Sequence, residues 1–240
     1  VTGWVLVREA NGARAGAPVG RAAPDGRTVT AGRDADLLLG RAVDNSGISR
    51  CAVAVTASPD GWRIEVPNRN GAVLHPWGLV PFRAQPSQLV RWPLVGIRVL
   101  GTEADRQHWV LLESDDYLDA DGTAVQGGAT PTAVGAAPPP LAPAELGALE
   151  LVFEDYLAWP PPLTAAEPRQ LKQVARRLGK SLSGVQDRLR SAQDKALRLG
   201  LARPTTLTQP DYFHVLVAAG YIAAPATRCF RTLPAGRPGT

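Results

Sequence analysis

Three dipeptides, Gly32-Arg33, Ser49-Arg50 and Asn70-Gly71, fall on the connections between short apolar runs within about forty residues. Arg offers a planar fork of donors to phosphate oxygens, and a Ser hydroxyl adds a compact donor. Asn both donates and accepts against a peptide bond. Together these groups suit a cradle for a phosphate, and Arg50 and Arg69, flanking the motifs, would enrich it in positive charge. Each phrase singly is ordinary turn punctuation. Their order and spacing carry the information.

A β framework must hold these connections. From residue 1 to about 117, short apolar runs separated by turn residues predict an antiparallel, all-β sandwich. Strands are expected at 4–7, 27–31, 37–39, 52–57, 62–66, 73–74, 97–100 and 109–113. Pro59-Asp60-Gly61 supplies a hairpin turn, since Pro presets φ, Asp bonds locally and Gly accepts a positive φ. Residues 119–143 are rich in Gly, Ala, Pro and Thr and read as a linker at which domains separate. Beyond it the apolar period becomes helical, with Leu146, Leu149, Leu151, Val152, Tyr156 and Leu157 in a first helix that ends at Pro160-Pro161-Pro162. Further helices are expected from about 165 or 169 to 178, over 183–199 and over 208–222, with a disordered tail at 225–240. The fold class is multidomain: a β-sandwich over 1–118, the linker over 119–143, and an all-α domain over 144–224.

The segment TVTAGRDADLLLGRAVDNSGISRCAVAVTASPDGWRIEVPNRNGAVL, residues 28–74, resembles the forkhead-associated (FHA) domain. That family is a β-sandwich whose loops bind phosphothreonine peptides, and the resemblance covers roughly residues 1–117. It implies that Arg33 holds the phosphate, Ser49 donates a hydrogen bond to it, and Asn70 holds the peptide backbone. The chain departs from the family pattern where Ala52 replaces the His of Ser-x-x-His, Arg69 replaces the Ser or Thr before Asn-Gly, and Ala72 replaces the Thr after it. In the family that His braces the loops, so its loss implies either a less ordered recognition surface or a need for another brace. The alternative is a sandwich that keeps Gly32 and Gly71 as turn residues while Arg33 pairs with Asp34 or Asp36.

The stretch LKQVARRLGKSLSGVQDRLRSAQDKALRLGL is similar to a helix-turn-helix, with Val174, Ala175, Leu178, Gly179, Ser181 and Val185 in its pattern. Ala175 is small where helices approach, Gly179 suits the turn, and Ser181 or Ser183 can cap the next helix. With its flanking helices it resembles winged or response-regulator-like DNA-binding domains, including ones that follow FHA domains in bacterial regulators. This implies that Ser183, Gln186, Asp187 and Arg190 meet base edges, while Arg176, Arg177, Lys180, Arg188 and Lys195 contact phosphates.

Charge agrees with that division. Up to residue 140 there are 13 basic and 14 acidic residues, and after it 13 and 8. Residues 169–203 hold ten Arg or Lys against Asp187 and Asp194 alone, a balance that suits a polyanion. Cys51 and Cys229 form no metal-ligand spacing with His75, His108 or His214, and structural reduced thiols are expected. Asp115-Asp116 with Asp119 and Asp121 lack the spacing and closing Glu of a calcium loop. There is no Gly-rich phosphate loop with its Lys and no nucleophile beside a base, so no catalytic residue, cofactor or metal is assigned. No apolar run approaches membrane-spanning length. Met is absent, including at position 1, as expected of a sequence that starts inside a longer one.

The leading expectation is a non-enzymatic, cytoplasmic regulator of bacterial type. Its β domain reads a phosphorylated protein partner or its own phosphorylated segment, and its helical domain binds double-stranded DNA. The rival is an adaptor that joins a degenerate FHA-like domain to a helical protein-interaction module.

Overall fold

Strands β1 (Thr2–Asn11), β2 (Arg14–Ala15), β3 (Val19–Pro24), β4 (Thr28–Gly32), β5 (Leu37–Leu38), β6 (Val53–Ser58), β7 (Gly61–Glu65), β8 (Ala72–Pro76), β9 (Phe82–Arg83), β10 (Ser87–Val90), β11 (Leu94–Val99) and β12 (Arg106–Glu113) precede helices α1 (Pro143–Val152), α2 (Glu154–Leu157), α3 (Leu171–Leu178), α4 (Leu182–Arg198) and α5 (Asp211–Ala218). The computed structural model describes residues 2–40, 43, 45, 47–103, 105–118, 122 and 137–233.

The strands form two sheets. The first runs β2-β1-β12-β11-β8-β9, with β3 also paired to β1, and the second runs β10-β7-β6-β4-β5. Side chains alternate across a pleated strand, so every second residue faces the partner sheet. Val53, Val55 and Ala57 of β6, Ile64 of β7, Val95 and Ile97 of β11, and Val110 and Leu112 of β12 meet this way in one dry core. All eight expected strand regions are strands. The hairpin closes with Ser58 opposite Gly61 across Pro59-Asp60. Strands β2, β3, β9 and β10 were not expected. β3 reads VGRAAP and leaves Val19 exposed, and it is held by its ladder to β1 rather than by an apolar face of its own.

In the helical part, Leu149 and Phe153 meet Val174, Leu189, Phe213 and Leu216 in a core continuous with that of the sandwich. Gly179 ends α3 in the left-handed region at φ 61°, which a residue without Cβ adopts freely, and Ser181 caps α4 by accepting the Gly184 N–H at 3.1 Å. Two helices joined by a tight, capped turn therefore stand over this stretch.

This part packs directly on the outer face of the first sheet. Trp77 Nε1 donates to the Leu157 carbonyl at 3.0 Å, and His214 Nδ1 lies 2.7 Å from the Gly78 carbonyl. Trp159 Nε1 donates to Glu113 Oε1 at 2.6 Å. The expectation of a disordered tail is corrected over 225–233. Glu113, fully buried, accepts the backbone N–H groups of Cys229 at 2.8 Å and Phe230 at 3.0 Å. Phe230 stacks on Trp4 with ring centroids 5.0 Å apart, and Arg228 pairs with Asp115 at 2.6 Å. An otherwise polar tail is held because it satisfies a carboxylate that would be costly to bury alone. Residues 234–240, and the expected linker apart from 122 and 137–143, lie outside the described residues.

Candidate functional site

The three dipeptides come together at one end of the sandwich. Strand β4 ends at Gly32, where a Cβ would stand 2.2 Å from the Arg50 carbonyl oxygen, so only glycine lets β4 run this close to the Ser49-Arg50 loop. That approach forms two backbone hydrogen bonds, Arg33 N–H to Ser49 O at 3.1 Å and Asp34 N–H to Arg50 O at 2.9 Å. The Asn70-Gly71 turn joins from the other side. The Arg69 N–H donates to Ser49 Oγ at 3.3 Å, and Asn70 Nδ2 donates to the Gly47 carbonyl at 3.1 Å.

The hydroxyl of Ser49 thus serves as an acceptor toward the protein, and its own proton remains to be donated outward. Arg33, Arg50 and Arg69 are exposed, and none takes part in an ion pair among the described residues. Of the two alternative partners for Arg33, Asp34 takes part in no ion pair among the described residues, and Asp36 is engaged elsewhere. Its carboxylate accepts the Thr30 N–H at 3.0 Å and hydroxyl at 2.9 Å and meets Arg21 at 3.2 Å, and these Thr30 bonds, ahead of Arg21, hold its pKa below the usual value. Asn70 is half-buried, and its amide nitrogen is occupied by the Gly47 carbonyl, which leaves its Oδ1 as the group for a peptide N–H.

The side chain that ties these loops together is Asn68. Ala52 stands in the core with no exposure, while Asn68, 5% exposed, accepts the Ser49 N–H at 3.1 Å and donates to the carbonyls of Gly71 and Leu100, both at 2.9 Å. Asn45, also buried, ties the same loop to the 101–102 turn by accepting from Gly47 N, Thr102 N and Thr102 Oγ1. Neither was expected. Their one sequence signal, a short amide within a turn-rich segment, is shared with most loop asparagines.

The residues expected to contact DNA spread over more than one face. Arg176, Lys180 and Ser183 are exposed, and Gln186 and Arg188 are half-buried. Arg176, Lys180 and Arg188 have no ion pair among the described residues, whereas Arg177 pairs with Glu154 at 3.0 Å and Arg190 with Asp187 at 2.8 Å. Lys195 is turned inward: its side chain is 12% exposed and its Nζ lies 2.5 Å from Glu145 Oε2 and 3.0 Å from the Pro140 carbonyl. Burial would raise the Glu145 pKa, but bonds from Lys195, Ser191 and the Ala142 N–H outweigh it and hold the carboxyl below its ordinary value. Lys195 is thus a structural cation joining α4 to α1.

Among the described residues no cluster of His, Cys, Asp or Glu could hold a metal ion, and no helix is long and apolar enough to cross a membrane. No protein-family model and no curated protein matches the chain. Among solved structures, it is similar to the FHA domain of the CT664 protein from Chlamydia trachomatis, with 18% identity and a TM-score of 0.34 over 46% of this chain and 97% of that one. It is also similar to FHA-1 of Mycobacterium tuberculosis Rv1747, with 16% identity and a TM-score of 0.30 over 46% of this chain and 98% of that one. The likeness falls on the N-terminal part of the chain.

Proposed function

We propose that the loop end of the sandwich binds a phosphothreonine peptide and that the protein is a non-enzymatic regulator. The observation that carries this is the Ser49 hydroxyl, fixed through its oxygen by the Arg69 N–H and set among three arginines without ion pairs. A phosphate there would take charge-assisted bonds from guanidinium groups with no competing carboxylate to displace. Titration of the full chain with phosphothreonine peptide libraries, wild type beside Arg33→Ala, tests it. Binding that requires the phosphate and falls at least about tenfold in the variant is expected, as for a lost charge-assisted hydrogen bond. No detectable binding to the wild type sinks the idea.

A second reading concerns the helical part, over 144–224. The left-handed Gly179 and the Ser181 cap are the turn chemistry of a helix-turn-helix, and Arg176 and Lys180 stand exposed beside it without ion pairs. These features support binding of double-stranded DNA, with Arg176, Lys180 and Arg188 on phosphates and Ser183, Gln186 and Arg190 toward bases. Arg177 and Arg190 would have to release exposed acidic partners, a small cost for surface pairs. Binding of the full chain to duplex DNA should fall steeply as salt rises. Negligible binding at low salt favours an adaptor.

A further inference from the structure

Between the outer face of the first sheet and the segment leading from α2 to α3 lies a cavity of about 430 Å³. Small-molecule sites occupy about 300–1,000 Å³. Its walls are aromatic, from Trp77, Trp109, Trp159 and Tyr156. Each indole N–H is already committed: Trp77 to the Leu157 carbonyl, Trp109 to Gln107 Oε1 at 3.0 Å, and Trp159 to Glu113. Gln107 in turn gives its amide nitrogen to the Leu163 carbonyl at 2.7 Å. The walls therefore offer ring surface and few donors.

The polar lining that remains is His75, Arg98, Asp155 and the hydroxyls of Tyr156 and Thr164, and of these the charged pair is Arg98 and Asp155. Arg98 takes part in no ion pair among the described residues. His75 stands edge-on to Trp109 with centroids 4.8 Å apart, and its buried Nε2 has no partner. Burial, and then the Arg98 charge, push its pKa down to about 4, so at neutral pH Arg98 is the one cation of the lining. Asp155 enters from α2, on the wall opposite the strand that bears Arg98.

We propose that this cavity binds a small planar aromatic carboxylate, its ring against the indole and phenol walls and its carboxylate on Arg98. Asp155, on the opposite wall, repels the same group and so sets which way round the molecule enters. The lining includes none of Arg33, Ser49 and Asn70, though Arg98 also borders a shallower hollow beside Asn70 on the other side. Because His75, Arg98 and Trp109 lie on strands while Tyr156 and Trp159 lie in the helical part, an occupant also ties the two parts together.

Calorimetric titration of the full chain with indole-3-acetate tests this, beside indole, which lacks the acid, and tryptamine, which carries a cation. Saturable binding of indole-3-acetate is expected, with indole about tenfold weaker for want of the charge-assisted bond. Arg98→Gln should weaken indole-3-acetate about tenfold and leave indole unchanged, and Ala166→Trp should fill the cavity and abolish both. Thermal unfolding of each variant checks that it folds, and the three-probe comparison on wild type stands without them. No binding of indole-3-acetate at millimolar concentration, equal binding by folded Arg98→Gln, or a preference for tryptamine overturns the proposal.

Discussion

Asn68 accepts the backbone N–H of Ser49 at 3.1 Å while its own amide nitrogen reaches the carbonyls of Gly71 and Leu100. One buried side chain thus ties the Ser49 loop to the Asn70-Gly71 turn and to the end of β11. Asn68→Ala is expected to leave these groups unpaired, at a cost of about 1–3 kcal/mol in unfolding free energy. Under the proposed function it also weakens phosphopeptide binding without touching the ligand. Urea unfolding and calorimetry on the same sample check both, and an unchanged midpoint would show that the loops need no such brace.

Glycine to alanine should act with opposite sign at two positions. At Gly32 the new Cβ would meet the Arg50 carbonyl oxygen at 2.2 Å, so Gly32→Ala should destabilise by roughly 1–3 kcal/mol, as overpacking does. Gly147 lies inside α1 with nothing within 4 Å of an added Cβ. Gly147→Ala should therefore stabilise by about 0.5–1 kcal/mol. Denaturant midpoints measured side by side decide the matter.

Glu113 is the anchor of the C-terminal segment. Glu113→Ala removes the acceptor for Trp159 Nε1 and for the backbone of Cys229 and Phe230, and should release residues 226–233 from the sheet. Cys229 reports this directly. Burial, followed by the Glu113 charge, pushes its thiol up to about 12, so it should resist alkylation at pH 8 in the wild type. In Glu113→Ala its labelling should approach the rate of a free thiol, with mass spectrometry separating it from Cys51.

Acid sensitivity should appear above the carboxylate range. His75, with a pKa near 4 in the fold and 6.5 as its ordinary value, binds fewer protons folded than unfolded between those limits. His214 is shifted the same way, burial again being the main cause. Stability therefore rises with pH across this window and is lost as pH falls from 6.5 toward 4. His75→Phe keeps a ring against Trp109 and should flatten the dependence by roughly 1–3 kcal/mol. Unfolding curves at pH 5 and pH 7 on both proteins show whether the slope belongs to His75.

The central strands and the helical turn were legible in the sequence because their determinants are local. Alternation in AVAVTA and WRIEV, Pro59-Asp60 between them, and Leu178-Gly179 ahead of Ser181 each act over a few residues, within the reach of backbone sterics and capping. The edge strands β3 and β9 escaped because backbone pairing to a neighbour holds them, and composition does not record a ladder.

For the candidate site, residue types were legible and availability was not. The sequence by itself determined that Arg33, Ser49 and Asn70 lie on three connections between strands of a β-sandwich. Only the tertiary structure decided that Asp36 turns to Thr30 and Arg21, that Asn68 ties the Ser49 loop to its neighbours, and that Lys195 is held inward by Glu145. Pairing of a charge depends on which carboxylate reaches it first in space, and the partners here come from 15 residues away for Asp36 with Arg21 and 50 for Lys195 with Glu145. At those separations, packing sets the encounter and local sequence does not.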